Sequence, residues 1–115
     1  MATNCKKTPI ANSDLLSFLK DNDCNTLHFD VLRFVGKHPN ARLSLSVLAR
    51  ATGKKKVDLA NAIVPLIEQD ILAACQDDNG VTTFSLSSNL TSQCYILKLA
   101  GLDWSAAGRL RKKFK

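Results

Sequence analysis

The sequence has little of what marks fibrous, disordered or membrane-spanning chains. Only five of its 115 residues are glycine and three are proline, which excludes a collagen-like or low-complexity chain. No apolar run approaches the roughly 18 residues of a membrane-spanning helix, and no signal-type apolar core follows the first residues. A chain of this length can bury roughly two thirds of its unfolded surface around one core. We therefore expect a folded, cytoplasmic protein that does not insert into a membrane.

Cysteine and histidine are too few and too scattered for metal or nucleophile chemistry. The four cysteines form no C-x-x-C pair, unlike those of zinc ribbons or small secreted domains, so we expect four reduced thiols. Cys24 and His28 lie four residues apart, but two ligands do not make a metal site. Neither histidine has a nucleophile in a recognisable frame, and no glycine-rich phosphate motif is present. The sequence predicts no enzyme, no cofactor and no metal.

Positive charge is in excess, and it is uneven along the chain. The formal charge is +6, from 16 Lys and Arg against 10 Asp and Glu. The first 97 residues hold ten basic and nine acidic residues, whereas the last 18 hold six basic and one acidic. A basic tail favours a polyanionic partner: nucleic acid first, then an acidic membrane surface or an acidic protein. The alternative is a solvated tail that only maintains solubility. The tail's cations are Arg109, Arg111, Lys112, Lys113 and Lys115.

Apolar periodicity predicts a helical chain with one hairpin. The expected elements are helices near residues 13–20, 27–36, 47–52, 55–69, 92–100 and from about 103 onward, a short strand at 42–45, and a hairpin of residues 71–76 and 81–86. Thr26 and Ser46 are the expected caps of the second and third helices. Gly36 is expected to help end the second helix, and Gly53 to turn the chain sharply after the third. Asn79-Gly80 between two apolar runs is a strong hairpin signal.

The order helix, strand, helix, glycine turn, longer helix, hairpin is the winged helix-turn-helix plan. Residues 66–72 resemble the Leu-Glu-x-x-Gly-Leu-Ile exit into the wing of bacterial regulators of the MarR type, and the resemblance covers residues 27–86. Six further positions fit the family's helix-turn-helix pattern: Leu48, Ala49, Gly53, Leu59, Ala62 and Ile63.

The resemblance implies a mainly α fold with a small β-hairpin, in which extra N- and C-terminal helices flank the winged helix. It also implies a DNA-binding transcriptional regulator. We divide the chain into an N-terminal helix and lead-in over residues 1–25, a winged helix-turn-helix domain over 26–87, and C-terminal helices with a basic tail over 88–115.

The longer helix is the element that such a fold presents to the major groove, with its N-terminal turn nearest the bases. Lys54, Lys55 and Lys56 begin it, and Asp58 and Asn61 follow on its outward face. Lysines can contact phosphate or guanine O6 and N7, and asparagine can pair with adenine N6 and N7. We predict that these five residues contact double-stranded DNA, with the basic tail as a phosphate clamp.

Three features depart from the family pattern. The wing tip, residues 76–79, carries two aspartates where DNA-binding wings usually carry Arg or Lys. Asp70 stands where the family usually has glycine, which predicts another turn into the hairpin. Lys55 stands where a Ser or Thr cap is frequent, so the longer helix should start uncapped. The alternative function is a protein-interaction module that uses the acidic wing as its partner-binding edge.

The flanking helices carry more apolar surface than a winged helix of about 60 residues can cover. Regulators that read pseudo-palindromic sites are dimers, so we predict a homodimer through the N- and C-terminal helices. The alternative is a monomer in which these helices enlarge the core.

Overall fold

The computed structural model describes residues 12–113, which form a helical body with one small sheet. The elements are α1 Asn12–Asp21, α2 Thr26–Lys37, β1 Leu43–Ser44, α3 Leu45–Thr52, α4 Lys56–Glu68, β2 Leu72–Gln76, β3 Thr82–Leu86, α5 Leu90–Ala100 and α6 Trp104–Arg111. This order confirms the predicted mainly α fold with a hairpin and flanking helices. The sheet order is β1-β3-β2 with antiparallel neighbours, so β1 adds a third strand to the expected hairpin.

The caps of α2 and α3 lie one or two residues before the predicted ones. Asn25, not Thr26, caps α2: its side chain accepts the His28 N–H at 3.1 Å, and the His28 ring accepts the Asn25 N–H at 3.0 Å. Ser44, not Ser46, caps α3 by accepting the N–H three residues on, at 3.2 Å. Both segments offer neighbouring polar residues, and the residue with extended backbone becomes the cap because an N-cap is non-helical.

The prediction that Gly36 helps to end α2 is wrong. Gly36 lies buried inside the last turn of this helix. A Cβ atom at this position would lie 2.7 Å from the Ile96 carbonyl oxygen and 2.8 Å from the Ala100 Cβ. The close approach of α2 and α5 therefore requires a residue without a side chain.

One apolar core joins the helices. Its fully buried members include Leu15, Leu19, Leu32, Leu59, Ile63, Ile96 and Leu99, from α1, α2, α4 and α5. The Phe18 ring also stacks on Tyr95, with ring centroids 4.2 Å apart. The N- and C-terminal helices thus pack against each other within one chain. The core draws on all three parts of the proposed division, which stays a prediction.

The turn from α4 into the hairpin has the left-handed backbone that glycine favours, so the expectation of another geometry is wrong. Asp70 has φ 61°, and its N–H donates to the Ile67 carbonyl at 3.1 Å. The next N–H, that of Ile71, donates to the Leu66 carbonyl at 2.9 Å, which completes a Schellman motif. Aspartate tolerates this conformation better than most residues. Its carboxylate also accepts the Ser87 hydroxyl at 2.7 Å, which ties the turn to the chain leading into α5.

The cysteines differ from the prediction in one respect. Cys94 is disulfide-bonded, so the expectation of four reduced thiols is wrong, because sequence spacing does not reveal pairs that folding brings together. Cys24 and Cys75 are free thiols. Burial, with a smaller contribution from the Asp23 charge, raises the pKa of the Cys24 thiol to about 12. Cys24 therefore stays protonated and is a poor nucleophile or metal ligand.

Candidate nucleic-acid interface

The connection between α3 and α4 is short, and Gly53 sets its geometry. Gly53 has φ 70°, and its N–H donates to the Ala49 carbonyl at 2.9 Å. The N–H of Lys54 donates to the same carbonyl at 3.2 Å. Since only residues 53–55 separate the two helices, α4 begins directly beside the end of α3. The predicted role of Gly53 as the turn residue is confirmed.

The three lysines lie at the start of α4 and are exposed. Lys55 is the N-cap residue and makes no side-chain cap hydrogen bond, which confirms the predicted uncapped start. The first N–H groups of a helix have no intrahelical partner, and together with the helix dipole they favour an anion. The lysines add three positive charges to this end of the helix.

Lys54, Asp58 and Asn61 line one open groove of about 500 Å³ between α4 and the N-terminal end of α2. Asp58 and Asn61 are exposed, as are the lysines. The structure therefore brings the residues predicted on α4 into one solvent-accessible region.

His28 joins the two walls of this groove, a role that the sequence analysis missed. Its Nε2 donates to the Ala62 carbonyl of α4 at 3.0 Å, while its Nδ1 accepts the Asn25 N–H. This arrangement needs the neutral ring. Burial lowers the pKa of His28, and the hydrogen bond to Ala62 opposes this effect in part. The Asn25-x-x-His28 spacing of a capping box was the available sequence signal.

Arg111 forms an ion pair with a residue of α2. Its Nε and Nη2 donate to the two Asp30 carboxylate oxygens at 2.8 and 2.9 Å, a bidentate ion pair that holds α6 against α2. Asp30 lies two residues after His28, which is about 200° around the helix axis. Because His28 faces α4 and Asp30 faces α6, these two helices pack on opposite sides of α2.

The other described cations of the basic tail remain exposed. Arg109, Lys112 and Lys113 line a separate cleft of about 450 Å³ on α6 and the residues that follow it. Lys115 lies outside the described residues. The structure thus places Lys54, Asp58 and Asn61 along one groove, with Lys55 and Lys56 exposed beside it, whereas the described tail cations line a different cleft.

The wing tip uses an aspartate to build its turn. The Asp77 carboxylate accepts the N–H groups of Asn79 and Val81 at 2.8 and 3.0 Å. Gly80 has φ 80°, whereas Asn79 does not have positive φ, so the turn is not the two-residue type I′ turn of many Asn-Gly hairpins. Residues 72–86 contain no Lys or Arg, which leaves this wing without a cation for a phosphate.

Residues 12–113 offer neither a membrane-spanning helix nor a cluster of metal ligands. No helix in this part of the chain is both long and apolar enough to cross a membrane. The same residues contain no group of three or more histidine, cysteine or acidic side chains that could hold a metal ion.

No protein-family model and no curated protein matches the sequence. Solved structures do match. A MarR-family transcriptional regulator from Silicibacter pomeroyi aligns with a TM-score of 0.62 and 14% identity, over 89% of this chain and 64% of that one. A Staphylococcus aureus MepR variant bound to an oligodeoxyribonucleotide aligns with a TM-score of 0.61 and 11% identity, over 88% of this chain and 82% of that one. The adhesin competence repressor of Streptococcus pyogenes aligns with a TM-score of 0.55 and 23% identity, over 90% of this chain and 78% of that one.

The fold is a winged helix-turn-helix resembling that of MarR-type regulators. At these identities the likeness concerns the fold. The chain spans only 64% of the length of the Silicibacter pomeroyi protein. The Silicibacter pomeroyi protein and MepR are named as transcription regulators, and the Streptococcus pyogenes protein as a repressor.

Proposed function

We propose that the protein is a transcriptional regulator that inserts α4 into the major groove of double-stranded DNA. The observation that carries this proposal is the position of Lys54, Lys55 and Lys56, which are exposed at the uncapped start of α4. In this fold α4 is the helix that enters the groove, N-terminal end first. One structure of similar fold is bound to an oligodeoxyribonucleotide.

The lysines contribute affinity through the release of counterions from DNA. Each phosphate neutralised contributes about 0.9 to the slope of log affinity against log salt concentration. Three such contacts give a slope near 2.7 from this cluster alone. In this proposal Asn61, one to two turns further along α4, contacts a base edge, and Asp58, which lines the same groove as Lys54 and Asn61, lies beside it.

The basic tail acts as a second phosphate contact in this proposal, through Arg109, Lys112, Lys113 and Lys115. Arg111 has a different part, since its ion pair with Asp30 positions α6 on α2. A tail that contacts DNA from this side reaches phosphates away from those held by the lysines of α4.

Dimerisation through the N- and C-terminal helices belongs to the same proposal. Leu15, Leu19, Ile96 and Leu99 are buried within the single chain, so they serve the core. Trp104, the first residue of α6, is 87% exposed and supports a contact with a second copy. We expect Trp104→Ser to lower the dimer fraction in sedimentation velocity, and an unchanged monomeric profile in both proteins contradicts this part.

The acidic wing and the position of the tail favour one second candidate, a module that binds a protein partner. Asp77 and Asp78 repel phosphate, and the described tail cations lie away from the α4 groove. A basic partner surface fits the acidic wing tip, and in this candidate function the tail has no part in DNA binding.

Two matched variants distinguish these functions, because each removes three exposed positive charges. In one, Lys54, Lys55 and Lys56 become alanine; in the other, Arg109, Lys112 and Lys113 do. The dissociation constant for random-sequence duplex DNA is measured between about 50 and 200 mM salt, the range in which phosphate contacts dominate.

We expect the α4 variant to flatten the salt slope by about 2.7 and the tail variant to flatten it in proportion to its own phosphate contacts. Absence of salt-dependent binding by the unmodified protein at low ionic strength refutes the proposal and favours the protein-interaction module. An unchanged slope in the α4 variant refutes the role of α4.

A further inference from the structure

The outward face of α4 carries two exposed valines in one stripe, and Asp58 lies on the flank of this stripe that lines the groove toward α2. Val57 and Val64 are 62% and 52% exposed, and Asn61 lies between them on the same face, also exposed. Positions i, i+4 and i+7 fall in one stripe along a helix. The opposite face buries Leu59 and Ile63 in the core, so the stripe points to solvent. We call Val57, Asn61 and Val64 the outward stripe.

The chemistry of the outward stripe matches one type of base pair. In the major groove thymine presents a 5-methyl group, which apolar side chains contact, and adenine presents N6 and N7, which asparagine bonds in bidentate fashion. Guanine is read mainly by Arg or Lys, and cytosine by Asp or Glu. None of the three stripe residues is of these four types, and the exposed Asp58 beside them lines the groove toward α2. We infer that α4 reads A·T base pairs, with the two valines packed on thymine methyl groups and Asn61 bonded to adenine.

The stripe also has a definite length. The rise from Val57 to Val64 is about 10 Å, which corresponds to about three base pairs at 3.4 Å each. The inferred site is therefore a run of about three A·T pairs in each half-site. Glu68, one turn beyond Val64, lies at the C-terminal end of α4, away from the end that approaches the bases.

The positive charge at one end of the outward stripe favours DNA as the molecule that the stripe contacts. Lys55 and Lys56 stand exposed at the stripe's N-terminal end, where they can hold phosphates on the groove edge while the stripe contacts bases. This division of tasks is the usual one, in which phosphate contacts position a protein and base contacts specify the sequence. The inference rests on the proposed function, since it requires that α4 enters DNA.

The test begins with selection of bound duplexes from a random pool at low salt. The best duplex is then compared with two relatives: one in which uracil replaces thymine, so that only methyl groups are lost, and one in which G·C pairs replace the A·T run. Loss of one methyl contact should weaken binding about fourfold. The G·C duplex should bind more weakly by about a hundredfold or more, because each of the three mismatched pairs is expected to weaken binding about fivefold or more.

Variants of the stripe then locate the contacts. The double variant Val57→Ala, Val64→Ala should bind the thymine and uracil duplexes equally, whereas Val81→Ala should keep the difference. Val81 is a suitable control because it is an exposed valine outside α4. Asn61→Ala should weaken binding about tenfold or more and relax the adenine preference at one position.

The outcomes distinguish failure of A·T recognition by α4 from failure of DNA binding as a whole. Salt-dependent binding without preference for the A·T duplex, or with a uracil effect that survives the valine changes, overturns this inference and leaves the proposed function standing. No binding at low salt overturns both. If the valine changes alter self-association and leave DNA binding as it was, the stripe binds a second copy of the chain, and the inference is wrong.

Discussion

Replacement of Gly36 by alanine tests how α2 and α5 pack. The added Cβ would lie 2.7 Å from the Ile96 carbonyl oxygen and 2.8 Å from the Ala100 Cβ. The first of these neighbours is backbone, which cannot swing away as a flexible side chain would. The two helices must therefore separate by several tenths of an ångström, in a region where Ile96 and Leu99 are completely buried.

The expected loss of stability follows from two opposing effects. Overpacking of a well-filled core costs about 1–3 kcal/mol. Alanine in place of glycine inside a helix returns about 0.5–1 kcal/mol. The free energy of unfolding should therefore fall by up to about 2.5 kcal/mol, with a central value near 1 kcal/mol, which corresponds to roughly 4 °C in Tm for a domain of this size.

Gly108→Ala is the matched control. Gly108 lies inside α6, and a Cβ added there meets no atom within 4 Å. This variant should gain about 0.5–1 kcal/mol from helix propensity alone. Urea unfolding followed by far-UV circular dichroism measures both changes. If Gly36→Ala is as stable as Gly108→Ala, the close approach of α2 and α5 is not tight and the packing argument fails.

Three further predictions concern the groove and the turns. Because the pKa of His28 is lowered in the folded protein, the unfolded chain takes up a proton at a higher pH than the folded one does. The free energy of unfolding should therefore decrease as the pH drops below about 6.5. His28→Gln should remove this part of the pH dependence in urea titrations. Asp70→Ala should cost about 2 kcal/mol, because it keeps the strained φ of 61° and loses the hydrogen bond to Ser87. Asp70→Gly should cost less, since glycine adopts that φ freely, and the reverse order in thermal unfolding contradicts the account of this turn. Gly53→Ala should lower the free energy of unfolding by about 1 kcal/mol. The cause is the φ of 70° alone, because an added Cβ meets no atom within 4 Å. An unchanged Tm contradicts this prediction.

The element order could be predicted from the sequence because its signals are local. Apolar spacing set the helices, Gly53 marked the sharp turn, and Asn79-Gly80 marked the hairpin. The caps were missed by one or two residues because neighbouring polar residues compete, and the backbone conformation that selects one of them depends on the preceding loop or strand.

The features that could not be predicted depend on residues far apart in the chain. Gly36 is needed because of α5, which begins more than 50 residues later. Arg111 belongs to the basic tail by sequence, yet its Nε and Nη2 donate to the carboxylate of Asp30, 81 residues earlier. On α4, by contrast, the exposure of Asp58 and Asn61 followed from helical periodicity alone, so these candidate contacts were accessible to sequence reasoning.

The most direct test of the central claim is a map of amide chemical-shift changes when duplex DNA is added to the 12.6 kDa protein. The account predicts the largest changes for the amides of residues 54–64, at the start and along the outward face of α4. Changes confined to the wing tip at residues 76–80, or to α6, with residues 54–64 unmoved, contradict it.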